Sequence, residues 1–302
     1  MGIEYETAEG GGGKVQRSVL VGVDVTDETR PSLECAEFLR RRAGLRPILN
    51  HVVPQIAGGS EFTISPGDGE RLVAQLIAIC EDVKAKDGKT SEPDWDIRWS
   101  IGNPIDELLE AARDCHLLIL GARGDSIAYP GIGTVAAGCV RRHDGRVLLV
   151  SPEQKKFSFD RVLACLDLTP SAQTVAAEAK EFASLCGASL ELLHVFQAPW
   201  ETLHYRAPSS ERSPKDRQEF LSKLRQKLEM NCAASGIESE EITLHSASNS
   251  GEGVVEYVSR KGVDLVFLGT HGHRSMKDIF LGSTAERILS RVRCSVMTIR
   301  TG

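Results

Sequence analysis

A glycine-rich segment at residues 269–284 combines residue types and spacings that can hold a phosphate group. Gly269 and Gly272 are separated by two residues, and Gly282 with Ser283 follows after nine more. An apolar run precedes the segment and a helical pattern follows it. Glycine lets the backbone approach a ligand closely, and unpaired N–H groups at a helix start attract anionic oxygen. The order of strand, glycine loop and hydroxyl-bearing helix start therefore predicts a phosphate-binding loop.

The elements that must position this loop follow from the hydrophobic pattern. Apolar β-branched runs alternate with amphipathic stretches, and the alternation occurs twice along the chain. Such alternation with short connections predicts a parallel sheet with helices on both faces. The predicted strands of the first half are 18–23, 47–53, 96–101, 117–121 and 146–151, with helices at 30–43 and 70–86. Those of the second half are 161–166, 189–196, 241–246, 264–269 and 295–300, with helices at 172–186 and 214–234.

The two halves carry the same landmarks in the same order. In the first half these are Asp24, Val52, Gly121 with Gly124, and Gly133 with Thr134. In the second half they are Asp167, Val195, Gly269 with Gly272, and Gly282 with Ser283. The offset is 143 residues for the first two landmarks and 148 or 149 for the later ones. We therefore expect a tandem duplication: a flexible tail at 1–14, a first domain at 15–152, a linker at 153–160 and a second domain at 161–302.

Overall composition narrows the class of protein. Of the 302 residues, 41% are hydrophobic and 26% are charged, as in ordinary soluble globular proteins. A formal net charge of −6 argues against a nucleic-acid-binding surface. No apolar run reaches the roughly 20 residues that cross a bilayer. We expect neither a nucleic-acid nor a membrane partner.

The cysteines indicate the redox compartment. Eight of them are scattered along the chain, and no two form a Cys-x2-Cys pair. Most lie within apolar periodicity, which favours buried thiols over disulfides or zinc ligands. Free buried thiols are typical of a reducing cytoplasm, and the acidic N-terminus resembles neither a secretory signal nor a transit peptide. We therefore expect a cytoplasmic protein.

Together these residues resemble the universal stress protein family in its tandem two-domain form. The resemblance covers nearly the whole chain, and it rests on the strand-end Asp, the His-Val of the second strand and the Gly-x2-Gly-x9-Gly-Ser loop of the second half. It implies two Rossmann-like α/β domains of the adenine nucleotide alpha-hydrolase-like type, each with an open five-stranded parallel sheet. It also implies ATP, which Mg²⁺ could accompany, over the carboxyl ends of the strands, where open α/β sheets generally bind ligands.

The resemblance implies roles for residues at the nucleoside end of the second domain. Asp167 would approach the nucleoside from the end of the first strand, and the main chain of Val195 would recognise the adenine edge. Gly269 and Gly272, with His271 between them, would let the loop lie against the ribose and phosphates. Asp167 could instead only cap the following helix.

At the phosphate end, the resemblance assigns Gly282, Ser283 and Thr284. These residues would bind the phosphates through backbone N–H groups and hydroxyls, which supply several donors without a buried charge. Ser283 could also be an ordinary N-cap, and the two roles are compatible. His271 and His273 suggest a metal site only weakly, because no Cys or carboxylate stands nearby at ligand spacing; we assign no metal-binding side chain.

The first half departs from the pattern. Eight residues rather than nine separate Gly124 from Gly133, and Pro130 stiffens the loop. The other matched positions are kept: Asp24, Val52, Gly121 and Thr134. We expect a degenerate site and leave open whether it binds nucleotide. Arg123 could reach a phosphate there or be solvated. The histidines before the two valines, His51 and His194, are expected to be hydrogen-bonded and structural.

Three functions fit these features. The leading hypothesis is an ATP-binding stress-response or regulatory protein whose nucleotide occupancy modulates conformation or partner binding. The second is a slow ATP hydrolase or nucleotidyl-transfer enzyme, in which four residues could stabilise a phosphoryl transition state: His271, His273, Arg274 and Lys277. Binding is favoured over catalysis because the loop offers no obvious water-activating base and no Walker-type acidic metal ligand, so we assign no catalytic residue.

The third function is structural. Single-domain members of the family dimerise, so the resemblance implies that the two domains could form the equivalent contact within the chain. The last predicted strands, at 147–150 and 296–299, are apolar and could meet edge to edge. A homodimer of the whole chain is a further expectation. In this interpretation the chain is a scaffold that need not bind nucleotide.

Overall fold

Two units follow one another along the chain, Met1–Ser158 and Phe159–Gly302. The computed structural model describes residues 17–55, 66–85, 95–123, 131–154, 157–202, 214–236, 242–270 and 281–301. The predicted tail at 1–14 lies outside these residues, as do residues 155–156 of the predicted linker.

The described part of the first unit forms one parallel sheet with helices between its strands. The strands are β1 Ser18–Val23, β2 Arg46–Pro54, β3 Asp96–Gly102, β4 Leu117–Gly121 and β5 Arg146–Val150. The helices are α1 Arg30–Ala43, α2 Pro66–Ala85, α3 Pro104–Ala111 and α4 Thr134–Arg142. A 3₁₀ turn at Asp27–Thr29 leads into α1. The strand order is β3-β2-β1-β4-β5, and every pairing is parallel.

The second unit repeats this architecture. Its described strands are β6 Arg161–Cys165, β7 Ser189–Phe196, β8 Ile242–Ser246, β9 Leu265–Gly269 and β10 Ser295–Ile299. Its helices are α5 Ser171–Cys186, α6 Pro199–Thr202, α7 Pro214–Cys232, α8 Ser250–Lys261 and α9 Ser283–Arg291. The order β8-β7-β6-β9-β10, again parallel throughout, matches that of the first unit. The predicted tandem pair of five-stranded parallel sheets is therefore confirmed.

The central strands are covered on both faces, which explains their continuous apolar sequences. In β4 the four residues before Gly121 are all buried, and the same holds for the four residues before Gly269 in β9. Helices α1 and α5 end at Gly44 and Gly187, whose φ values of 63° and 69° lie in the left-handed region that glycine adopts without strain. These ends return the chain to the next strand of the sheet.

An aromatic cluster fixes the central strands of the second unit. Phe182 of α5 lies edge-on to Phe159, which precedes β6, and to Phe267 of β9, with ring centroids 5.4 and 5.5 Å apart. Phe159 and Phe267 are each only 1% exposed. Burial of one such side chain stabilises a fold by about 1.5–3 kcal/mol. The cluster therefore holds β6, β9 and α5 together.

The predicted elements match the observed ones closely. Strand ends differ by at most one residue, and α2 begins at Pro66 rather than at residue 70. No bounds were predicted for α3, α4 and α8, and α6 was not predicted because a single turn has no periodicity to read. None of the helices in the described ranges has the length and apolar character needed to cross a membrane.

Candidate functional site

The strand order of the second unit reverses at β6, which has β7 on one side and β9 on the other. Ligands of open α/β sheets bind outside the carboxyl ends of the strands at such a point. Successive β7 residues face different helices: Val195 Cγ1 lies 2.7 Å from where a Cβ on Gly253 of α8 would stand, whereas Phe196 packs on Phe220 of α7. Helices α8 and α7 therefore cover opposite faces, and the carboxyl edge between them is the candidate site.

Strand register brings three residues of this edge to one level. The last pairs formed by β6 are with Leu193 of β7 and with Phe267 of β9. When the same register is continued along the chain, Asp167 stands level with Val195 on one side and with Thr270 on the other. Neighbouring strands are about 4.8 Å apart, so these residues lie within reach of one small ligand.

Asp167 follows β6 and is exposed at this edge. Its Oδ1 accepts hydrogen bonds from the backbone N–H of Thr169 at 3.0 Å and from its hydroxyl at 2.6 Å. Among the described residues, Oδ2 accepts none. The carboxylate thus shapes the turn before α5 and still presents one oxygen. It does not cap the helix, because the N-cap of α5 is Pro170 and no side chain makes a cap bond there, so the capping interpretation is wrong. Sequence reasoning missed Thr169, although the same Asp-x-Thr pattern at Asp24 and Thr26 could have revealed it.

The main chain of Val195 points past the end of β6. The carbonyl of Leu193 faces β6, because it accepts the N–H of Leu166 at 2.8 Å. Peptide groups alternate in direction along a strand, so the N–H and C=O of Val195 face the same side. The carbonyl of Leu166 instead accepts from His194 Nδ1 at 2.8 Å. Within the described ranges, no hydrogen bond joins the β6–α5 connection to Val195, which leaves one donor and one acceptor side by side.

His194 supports this arrangement as a neutral side chain. It is 7% exposed, and burial lowers its pKa. A bond to a carbonyl requires that Nδ1 carry the proton. His51 makes the equivalent contact in the first unit, with Nδ1 2.9 Å from the carbonyl oxygen of Val23. The prediction that both histidines are hydrogen-bonded is confirmed.

The start of α9 forms the other end of the edge. Gly282 is its N-cap residue, and its carbonyl accepts the first intrahelical bond from the N–H of Glu286 at 2.9 Å. The N–H groups of the first turn of α9 have no acceptor within the helix, and Gly282 supplies no side chain to cap them. Ser283 and Thr284 are both exposed. This end therefore offers backbone N–H groups and two hydroxyls to an anion.

The loop between β9 and α9 is described only at its ends. Gly269 ends β9, and Thr270 is held to β10 by its N–H, which donates to the carbonyl of Ile299 at 3.0 Å. His271 and Gly272 lie outside the described residues. Within the described ranges, no group of three or more His, Cys, Asp or Glu side chains is placed to hold a metal ion.

The first unit places its matched residues at the corresponding edge: Asp24 after β1, Val52 in β2, Gly121 at the end of β4, and Gly133 and Thr134 at the start of α4. Gly124 lies outside the described residues. Arg123, whose role the sequence left open, donates from Nη1 to Glu153 Oε1 at 3.2 Å. The N–H of Gly133 donates to the carbonyl of Ala122 at 2.8 Å, which ties the start of α4 to the end of β4.

Comparison with known proteins identifies the family. The sequence model of the Universal stress protein family matches residues 16–151 and again 158–300. The chain belongs to the universal stress protein family. Each match falls on one of the two units, so the universal stress protein domain occurs twice, as the tandem resemblance implied.

Individual relatives agree with this assignment. Universal stress protein A homolog 1 of Coxiella burnetii is 29% identical over 143 residues, which cover 47% of this chain and 96% of that protein. A universal stress protein of Thermus aquaticus, named after the QAH/OAS sulfhydrylase 3' region, is 27% identical over 142 residues, covering 47% of this chain and 99% of its own length. Each relative thus corresponds to one universal stress protein domain.

A solved structure matches both units of this universal stress protein. The crystal structure of a universal stress protein from Archaeoglobus fulgidus has a TM-score of 0.67 and 17% sequence identity. The match covers 96% of this chain and 100% of the other. At this identity the likeness establishes the fold alone.

Proposed function

We propose that the second unit binds ATP across the carboxyl ends of β6, β7 and β9, and that occupancy of this site modulates conformation or partner binding in a stress-response role. One observation carries the proposal: the main-chain donor and acceptor of Val195, Oδ2 of Asp167 and the start of α9 share one edge of one sheet, and none of them has a partner among the residues that the structure describes. These three features correspond to the base, the ribose and the phosphates of a nucleotide.

The base would be held by Val195. Adenine presents an amino donor beside a ring-nitrogen acceptor. A residue in an extended strand directs its N–H and C=O to the same side, which complements that edge with two hydrogen bonds. Because the end of β6 leaves these groups without a sheet partner among the described residues, pairing with a base would satisfy both of them.

The ribose and phosphates would occupy the rest of the edge. Asp167 Oδ2 is an acceptor for ribose hydroxyl protons, and a hydrogen bond to a charged group is among the stronger ones. The phosphates would meet the N–H groups of the first turn of α9 and the hydroxyls of Ser283 and Thr284, where the helix dipole also favours negative charge. In this proposal Mg²⁺ accompanies ATP and is held by its phosphates.

Isothermal titration calorimetry of the purified chain with ATP, and with GTP as the competing base, tests the proposal. We expect saturable binding of ATP, and ATP or ADP in the chromatogram of nucleotide released from denatured protein. Absence of heat at millimolar ATP and absence of released nucleotide would refute the proposal. GTP bound as tightly as ATP would refute the adenine assignment.

The conformational part of the proposal has its own test. Hydrogen–deuterium exchange with and without ATP should show slower exchange at Asp167–Ser171 and in the first turn of α9. Protection that spreads from there to the exposed surface of the unit would support modulation of partner binding, and unchanged exchange at saturating ATP would refute it.

All eight cysteines are free thiols, which supports the cytoplasmic location that we also propose.

Assembly is a separate proposal that comes from the family resemblance. We propose that the two domains pair within the chain in the manner of a dimer, and that the whole chain can form a homodimer. Light scattering gives the mass in solution, for which we expect twice the 32.9 kDa of one chain. A monomeric mass at all concentrations would contradict the homodimer.

A further inference from the structure

We infer that the chain carries one nucleotide, in its second unit, because the first unit uses within its own sheet a main-chain donor that its copy offers to a ligand, and buries its strand-end carboxylate more deeply. The inference rests on the proposed function and assigns that function to one of two matched sites. Its basis is two differences in hydrogen bonding between corresponding residues of the units.

The first difference is the length of the central strand. In the first unit β1 extends to Val23, which pairs with His51 of β2. In the second unit β6 ends one position earlier, at Cys165, which pairs with Leu193 of β7. With the 143-residue offset, the pair that closes β1 has no counterpart in β6. The pairing of the first two strands of the first unit therefore extends one residue further towards the carboxyl edge of the sheet.

This extra pair occupies the main-chain donor of Val52. The N–H of Arg46 donates to the carbonyl of Arg17 at 2.9 Å, so every second residue of β2 from Arg46 onwards faces β1, and Val52 is one of these. In a parallel ladder the pair at Val23 then requires that the N–H of Val52 donate to the Val23 carbonyl. The corresponding N–H of Val195 makes no such bond. The first unit has thus used the donor that would meet the ring nitrogen of a base.

The second difference is at the strand-end carboxylate. Oδ1 of Asp24 accepts three hydrogen bonds, from the N–H of Thr26 at 3.0 Å, its hydroxyl at 2.5 Å and the hydroxyl of Thr29 at 2.8 Å. The N–H of Asp24 donates in turn to the Thr29 hydroxyl at 2.9 Å. The residue that corresponds to Thr29 in the second unit is Ala172, so Asp167 lacks this third bond. Thr29 is only 5% exposed, and Asp24 is correspondingly less exposed than Asp167.

These two differences weaken the binding of the base and the ribose of a nucleotide in the first unit. In the first unit an adenine would leave its ring nitrogen without a donor, and the ribose would meet a carboxylate that is less exposed and is held by one more hydrogen bond at Oδ1. A lost neutral hydrogen bond weakens binding about fivefold. The missing donor alone makes the first site about fivefold weaker than the second, and the less exposed Asp24 weakens it further.

Calorimetric stoichiometry of the full chain tests the inference, with matched variants in the two units. We expect one ATP per chain. Asp167→Asn, whose Oδ1 can still accept the Thr169 bonds, should weaken binding about tenfold or more, whereas Asp24→Asn should leave the dissociation constant unchanged. Two ATP per chain with similar affinity, or equal losses from the two variants, would overturn the inference. If the wild-type chain binds no ATP, the proposed function itself fails.

Photolabelling of the wild-type chain locates the site without any variant. After irradiation with 8-azido-ATP and proteolysis, mass spectrometry should find labelled peptides from the second unit only, competed away by ATP. Competed label in peptides of the first unit would overturn the inference, while the proposed binding of ATP by the chain would stand.

Discussion

Gly282→Asp is the substitution from which the phosphate end of the site can be judged most sharply. Gly282 has φ −59° and ψ 141°, which any residue can adopt, and among the described residues the nearest atom to an added Cβ is the Thr270 carbonyl oxygen at 4.0 Å. Aspartate is a better N-cap than glycine by a few tenths of a kcal/mol. We therefore expect a folded protein with an unchanged or slightly higher melting temperature.

Binding of ATP should respond in the opposite direction. The new carboxylate would accept the N–H groups that the phosphates need, and it would stand about 4 Å from a phosphate charge. Two such charges repel by about 1 kcal/mol in a water-like environment and by about 4 kcal/mol at the effective dielectric of a partly buried site. The dissociation constant for ATP should therefore rise between about fivefold and about a thousandfold.

Gly282→Asn is the matched control, because it occupies the same N–H groups without a charge. Calorimetry at fixed ionic strength should rank the proteins wild type, Asn and Asp in order of falling affinity, and the gap between Asn and Asp should narrow at high salt. Wild-type affinity in a folded Gly282→Asp protein would refute the placement of phosphates at α9. Equal losses from Asn and Asp would refute the electrostatic part of the reasoning.

Three further predictions concern the fold around the two sites. Asn50 is 4% exposed, its Nδ2 has no partner among the described residues, and the corresponding residue of the second unit is Leu193. Asn50→Leu should therefore raise the free energy of unfolding by about 1–2 kcal/mol in urea titrations. A loss of stability would show that the amide is satisfied. Burial lowers the pKa of His194, so its neutral form contributes stability above the unfolded pKa of about 6.5, and this stability is lost as the pH falls. Below that pH the free energy of unfolding of His194→Gln should therefore decline less steeply than that of the wild type, with a difference in slope of at most about 1.4 kcal/mol per pH unit. Parallel profiles would contradict this. Burial raises the pKa of the Cys139 and Cys294 thiols to about 12. Iodoacetamide at pH 8 should therefore leave both thiols unmodified in the native protein and alkylate both in urea, as measured by mass spectrometry. Rapid alkylation of the native protein would mean that the thiols are accessible.

Much of the fold could be predicted from the sequence because the signals are strong and occur twice. Buried parallel strands such as β4 and β9 are continuous apolar runs, and each run in one half is checked by its copy in the other. Strand ends are harder to predict, because they depend on a single hydrogen bond. The sequence predicted that the first strand of the second unit would include Leu166, but the N–H of Val195 makes no bond to the Leu166 carbonyl and β6 ends at Cys165.

The candidate site was predictable in its landmarks and not in its hydrogen bonds. Asp167 and Val195 follow from the repeat and the family resemblance, whereas the threonines that hold the two strand-end carboxylates were not singled out. The counterpart of Thr29 is Ala172, so the repeat itself shows the difference, but its meaning depends on knowing that the Thr29 hydroxyl reaches Asp24. Contacts between side chains separated by a turn are set by the local backbone, which residue patterns do not specify.

The most direct test of ATP binding in the second unit is an NMR spectrum of the chain labelled with ¹⁵N-valine, recorded with and without ATP. The Val195 amide can be assigned by its loss in Val195→Ile. We predict that saturating ATP shifts this resonance downfield and slows its exchange with solvent, while the Val52 amide, already bonded within the first sheet, stays in place. An unmoved Val195 resonance under conditions where calorimetry shows full occupancy would contradict the account.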